Sequence, residues 1–190
     1  NKPVILYAPT FSEKLTSAFD CFNAIKKIAE SGLYHWLVKF HPLMKQSLVE
    51  QYKSLSGENF QVIESHSILP ILKAADVMLS DTSSVVGEFQ LLGKPVVTYR
   101  NSAPEANLFN INSSNELAAN LALALELSIE KKKEITQANN LLHPYVDGQS
   151  SSRILDACED ILDNKIKAKK RRPLNLFRNF KIRRSLGYWK

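Results

Sequence analysis

The chain has 190 residues, 44% of them hydrophobic, which suits one globular domain with a full core and an appendage. No run of 18 apolar residues occurs, so no segment is expected to span a membrane as a helix. The net charge of +6 is unevenly placed: residues 165–190 hold eleven Lys and Arg and no Asp or Glu, leaving residues 1–164 at −5, which argues against a nucleic-acid-binding fold.

Asn1-Lys2-Pro3 leads straight into a strand over residues 4–8 without an initiator Met, as expected of a piece of a longer protein. A helix is predicted over 12–31, with Leu15, Ala18, Phe22, Ile25 and Ala29 on one stripe. A strand over 33–40, a helix over 43–55 and a strand over 59–63 follow, then a short helix over 68–74 with Pro70 in its first turn. Residues 75–99 read as one βαβ unit. Its first strand (Val77, Met78, Leu79) enters the polar turn Ser80-Asp81-Thr82-Ser83-Ser84; the helix carries Val85, Val86, Phe89, Leu91 and Leu92; Gly93 closes it before a strand over 95–99. An extended piece near 108–111 and helices over 114–127, 131–142 and 150–164 complete the pattern. This alternation predicts an α/β fold, a Rossmann-like parallel sheet with helices on both faces over residues 1–164, and a separate basic, aromatic-containing tail over 165–190. Cys21 and Cys158 are expected to be small buried core residues in a reducing compartment, and no CxxC or Cys/His cluster suggests zinc.

The turn after Leu79 is the main candidate site. Thr82, Ser83 and Ser84 bring hydroxyls and N–H groups to a helix N-terminus, where an anion such as phosphate is favoured, although taken alone the turn reads more readily as Asp81, Thr82 or Ser83 capping the helix. Glu88, one and a half turns on, could accept from ribose hydroxyls at the same sheet end, where open parallel sheets bind ligands. Tyr7-Ala8-Pro9-Thr10-Phe11 ends the first strand, so that either Thr10 reaches the ligand edge or Ser12 caps a helix. His41, after Lys39-Phe40 and before Pro42, sits at the same edge and is either a structural histidine or a ligand contact. Ser150 or Ser151 is expected to cap a helix whose first turn holds Arg153; the dipole disfavours a cation there, which hints at a partner anion, while the alternative is simple exposure.

With these pieces assembled, the sequence resembles the CDP-glycerol glycerophosphotransferase family of teichoic acid and capsule polymerases. The resemblance rests on YAPTF at Tyr7 to Phe11, KFHP at Lys39 to Pro42, ADVMLSDTSSVVGEFQLLGKPVV at Ala75 to Val97 and DGQSSSR at Asp147 to Arg153, in family order. It implies a GT-B architecture with this chain as its C-terminal, donor-binding half. By that likeness Ser80, Asp81, Thr82, Ser83 and Ser84 would hold the diphosphate of a CDP-activated donor and Glu88 its ribose, with Thr10 nearby. His41 and Arg153 would act on the phosphates as the catalytic pair. No metal or other cofactor is implied, and the sequence has no DxD motif. The family often has Tyr where this chain has Thr82, and the acceptor half that would carry a general base is expected elsewhere in the same protein.

The tail interleaves Leu174, Leu176, Phe177, Phe180, Ile182, Leu186, Tyr188 and Trp189 with cations. That pattern suits an anionic membrane surface on the cytoplasmic side, or packing against the acceptor half. Two other readings remain: a UDP-sugar enzyme of the same architecture, such as a hexosyltransferase or a UDP-N-acetylglucosamine 2-epimerase relative, and a basic-tailed adaptor without chemistry. Ser83-Ser84, where the epimerase has Gly-Gly, favours the polymerase family.

Overall fold

A computed structural model describes residues 2–65, 67–163, 165–166 and 174–188. It divides into two compact units, Asn1–Pro144 and Tyr145–Lys190. In the first, six strands form one parallel sheet: β1 (Val4–Tyr7), β2 (His35–Val38), β3 (Phe60–Val62), β4 (Val77–Ser80), β5 (Val96–Tyr99) and β6 (Phe109–Ile111). Their spatial order is β3-β2-β1-β4-β5-β6. The chain builds outward from β1 to β3, returns to lay β4 on the other side of β1, and continues to β6. Order therefore reverses between β1 and β4, where open α/β sheets form a ligand crevice at the carboxyl ends of their strands.

Alternate residues of each strand serve opposite faces. Ile5, Tyr7, Trp36, Val38, Val77 and Leu79 pack with α1 (Phe22–Glu30), α2 (Gln46–Lys53) and α5 (Leu117–Leu125). Leu6, Met78 and Val96 pack with α3 (Leu69–Ala74) and α4 (Val85–Gln90). Burial on both faces is why the strands read as unbroken apolar runs. Lys94 adds a polar strut: its Nζ donates to the carbonyls of Lys73 and Ala75, both at 2.6 Å, at the negative end of α3.

Helix starts differ most from expectation. The stripe from Leu15 predicts a helix from residue 12, yet α1 begins at Phe22. One turn forms at Ser12, whose carbonyl accepts from Leu15 and Thr16. Ser17 is then held by the Asp81 carboxylate, and Leu15 remains exposed. A long-range bond here overrides local helix preference. The crossover helix α4 spans six residues and stops before Leu91 and Leu92, which are exposed. Gly93 closes the turn at φ +73°, its N–H donating to the Gln90 carbonyl at 2.7 Å. A 3-10 turn, Ser114–Glu116, starts the next helical segment with a capping box between Ser113 and Glu116, and α6 (Ile129–Leu142) is capped by Ser128.

In the second unit, α7 (Ser150–Leu162) and α8 (Leu176–Ser185) bury no residue. The N-cap of α7 is Gln149 without a side-chain cap bond, so Ser150 and Ser151 lie inside the helix instead of capping it. Cys158 is exposed on α7, against expectation, because that helix buries none of its residues; Cys21 is buried as expected. Burial pushes the Cys21 thiol up to about 12, which makes it an inert core residue. Of the tail residues named above, Trp189 falls outside the described residues, as do Asn164 and 167–173.

Candidate functional site

The turn after β4 sits at the reversal point of the sheet, and its five small polar residues divide into two sets. Ser80, the last strand residue, is fully buried and donates its hydroxyl to the Ala8 carbonyl at 2.7 Å. Asp81 is also fully buried. Its carboxylate accepts from the Thr10 amide at 2.9 Å, the Ser17 amide at 2.8 Å and the Ser17 hydroxyl at 2.9 Å. Burial raises the carboxyl above its usual range, and the hydrogen bonds from Ser17, Thr10 and Thr82 only partly oppose it. These two side chains therefore fasten the β1 loop and the 12–21 segment to the turn and do not face solvent. Thr10 contributes its amide to that fastening.

Thr82 points sideways: its hydroxyl accepts from the Ser102 amide at 3.0 Å. Asn101 donates to the Asp81 carbonyl at 2.9 Å, so the loop after β5 is tied to the same turn. Ser83 and Ser84 face outward. Ser84 is the N-cap of α4 but makes no side-chain cap bond, so the capping explanation of the turn does not apply. Among the described residues the amides of Ser83, Ser84 and Val85 have no hydrogen-bond partner. Two hydroxyls and three N–H groups are thus available at one point, the donor set that an anion requires.

Ser83 and Ser84 form a ridge between two hollows. The smaller, about 250 Å³, is lined by Pro9, by Lys39 to Pro42 after β2, and by Ser65 and Ile68 before α3. His41 is exposed there, stacked on Phe11 with ring centroids 4.4 Å apart. Its Nδ1 accepts from the Leu43 amide at 3.1 Å, so the neutral ring carries its proton on Nε2. The larger hollow, about 800 Å³, lies on the other side against α4, the loop after β5 and α6. Glu88 is exposed on α4 and lines neither hollow. Arg153 belongs to the second unit, where its guanidinium donates to the Asp147 carboxylate, through Nη1 at 2.8 Å and through Nη2, and stands 4.0 Å from the Tyr145 ring centroid. The partner anion suggested by its place in the first turn is supplied there by Asp147.

One feature of the strand edge was not singled out from sequence. Arg100, just past β5, has φ +46°, a left-handed conformation unusual for a side-chain-bearing residue. Its amide donates to the Ile111 carbonyl at 2.8 Å, and Nη1 donates to Asp20 at 3.1 Å, the carboxylate that also accepts from the Tyr99 hydroxyl at 2.9 Å. No composition or spacing signal marks such a residue, because the strain arises from pairing across β5 and β6.

These features define a Rossmann-like domain of the GT-B class. The model of the CDP-glycerol:poly(glycerophosphate) glycerophosphotransferase family matches residues 1–160, and the chain belongs to that family. It is similar to the teichoic acid glycerol-phosphate primase of Bacillus spizizenii, 38% identical over 103 residues, covering 52% of this chain and 25% of that protein. It is also similar to the teichoic acid poly(ribitol-phosphate) polymerase of the same organism, 25% identical over 186 residues, covering 87% of this chain and 30% of that protein. Among solved structures, the wall teichoic acid polymerase TagF superposes with a TM-score of 0.59 at 19% identity, covering 87% of this chain and 45% of that one. A putative UDP-N-acetylglucosamine 2-epimerase from Listeria monocytogenes superposes with a TM-score of 0.62 at 21% identity, covering 86% of this chain and 46% of that one. The structural likenesses establish the fold; the family match separates the chain from the UDP-sugar enzymes. The chain spans less than half the length of each of these proteins.

Proposed function

We propose that this chain is the donor-binding, C-terminal half of a transferase that moves glycerol phosphate, or a related polyol phosphate, from a CDP-activated donor to a cell-surface polymer. The observation that carries the reading is the ridge at the sheet's reversal point, where the amides of Ser83, Ser84 and Val85 and two serine hydroxyls have no partner among the described residues. The diphosphate would sit there, with His41 Nε2–H as a further donor. Thr82 and Ser80-Asp81 would shape the turn, and Glu88 and Arg153 would act on the ribose and the phosphates once the acceptor half is in place.

In the reaction an acceptor hydroxyl oxygen bonds to the phosphorus bearing the polyol. The bond from that phosphorus to the bridging oxygen breaks, and CMP departs with that oxygen. The hydroxyl proton passes to a base supplied by the acceptor half. Fixed N–H groups aimed at the departing phosphate stabilise charge as it develops, which is the largest contribution such a site can make.

Calorimetry of the chain with CDP-glycerol, CDP-ribitol, CDP and UDP tests this. Cytidine diphosphates should bind, Ser83→Ala/Ser84→Ala should weaken them, and transfer by this chain alone should be undetectable. Preference for UDP would favour a UDP-sugar enzyme, and failure of every nucleotide would favour an adaptor.

The same proposal gives residues 165–190 a role on an anionic membrane surface on the cytoplasmic side. Among the described residues no helix is long and apolar enough to cross a membrane. Instead α8 exposes Leu176, Phe177 and Phe180 beside Arg178, Lys181, Arg183 and Arg184, and each cation near such a surface adds about 1 kcal/mol. Vesicles containing phosphatidylglycerol should sediment the full chain and not one ending at Asn164; equal partitioning would remove this role.

A further inference from the structure

The smaller hollow is lined by segments that follow β1, β2, β3 and β4, and polar groups drawn from separate segments act together only if their spacing is fixed. On the ridge side it is fixed from within. Asp81 accepts from the Thr10 amide at 2.9 Å and Ser80 donates to the Ala8 carbonyl at 2.7 Å, so the loop after β1 is fastened to the turn after β4. The loop after β2 brings His41 to the same hollow as an exposed side chain, which loses rotamer freedom only where something holds it.

Two contacts hold the His41 ring. The Leu43 amide donates to Nδ1 at 3.1 Å, and Phe11 stacks on the imidazole with centroids 4.4 Å apart and planes inclined by 28°. Phe11 follows Thr10 directly, so the ring that meets the imidazole belongs to a residue whose neighbour is already fastened to Asp81. Another tie between the two loops, Lys45 to Glu13 at 3.5 Å, joins exposed side chains and adds little. Phe11 itself lines neither hollow, so any effect it has on a ligand there passes through His41. The two contacts do different work. An amide at Nδ1 leaves the proton of the neutral ring on Nε2, but one bond lets the ring pivot about it. A face-on neighbour removes that freedom and fixes the plane in which Nε2–H lies. We infer that Phe11 is a positioning residue, holding the His41 imidazole in the plane and tautomer that present Nε2–H to the hollow lined also by Ser83 and Ser84. The benefit to a nucleotide rests on the donor reading of that ridge; the effect on the His41 ring does not.

Long-range 1H–15N correlation of the His41 ring, in mildly alkaline buffer where imidazole is neutral, reads the tautomer. The wild-type chain should show Nδ1 as the acceptor and Nε2 as the protonated nitrogen. Phe11→Leu keeps an apolar side chain at a position 41% exposed, so its urea midpoint should stay near that of the wild type. It should move both ring shifts toward those of free histidine and weaken CDP about 2- to 10-fold by calorimetry, the weight of one aromatic pair. Phe11→Tyr should restore both readouts, and in a His41→Ala background Phe11→Leu should weaken CDP no further. Ring shifts unmoved by Phe11→Leu, CDP affinity unmoved by it in a chain that binds CDP, or a further loss in the His41→Ala background would overturn the inference. Moved ring shifts in a chain that never binds CDP would uphold the positioning and remove the donor reading.

Discussion

Ser80-Asp81 and Ser83-Ser84 are near neighbours of similar size and polarity, yet they do opposite work. The first pair lies at the end of β4, where strand pleat and sheet position turn both side chains into the protein, and their hydrogen bonds are satisfied by Ala8, Thr10 and Ser17. The second pair lies past the strand, where its carbonyls accept from Val86 and Gly87 but its amides and hydroxyls have no partner among the described residues. Residue type alone does not distinguish a ligand contact from a structural fastener. Distance past the strand end does.

Asp81→Ala should break this contrast most severely. It leaves the buried Ser17 amide and the part-buried Thr10 amide without their acceptor, while the Ser17 hydroxyl keeps the Tyr7 hydroxyl at 3.0 Å, and a loss of about 2–4 kcal/mol is expected in urea unfolding. Ser83→Ala/Ser84→Ala should do the reverse, leaving the urea midpoint nearly unchanged while weakening CDP about tenfold by calorimetry. A double variant that lost stability instead would place these serines with the fasteners. Ser80→Ala should cost about 1 kcal/mol of stability, for one buried hydrogen bond, with little change in CDP affinity.

The smallest effect is in pH dependence. Because burial raises the Asp81 carboxyl above its usual 3.8, the folded chain binds more protons than the unfolded chain just above that value. Stability relative to Asp81→Asn should therefore fall as pH rises through this window and level off above the folded value. Urea midpoints of the two proteins across the acid range check the sign; a rise would mean that the hydrogen bonds outweigh desolvation.

The alternation of strands and helices, the central βαβ unit and the closure at Gly93 were legible in the sequence because a sheet buried on both faces imposes continuous apolar runs. The start of α1 was not, since it depends on a bond from Ser17 to a residue 64 positions away. Within the site, the turn could be located from its residue types, and the edge positions of Thr10 and His41 from their strand ends. What could not be read was orientation: that Thr10 contributes its amide, that Thr82 holds Ser102, and that Glu88 lies outside both hollows. The second wall of the larger hollow comes from α6, some fifty residues past the turn, and only the folded chain brings Asn139 to Gln90.

The bond from the Thr10 amide to Asp81 joins positions 71 residues apart. Such a closure requires the first and fourth strands to have paired, and distant pairings form slowly. On the donor reading of this turn, nucleotide affinity should return later than helical circular dichroism during refolding, making the ligand a reporter of the β1–β4 pairing.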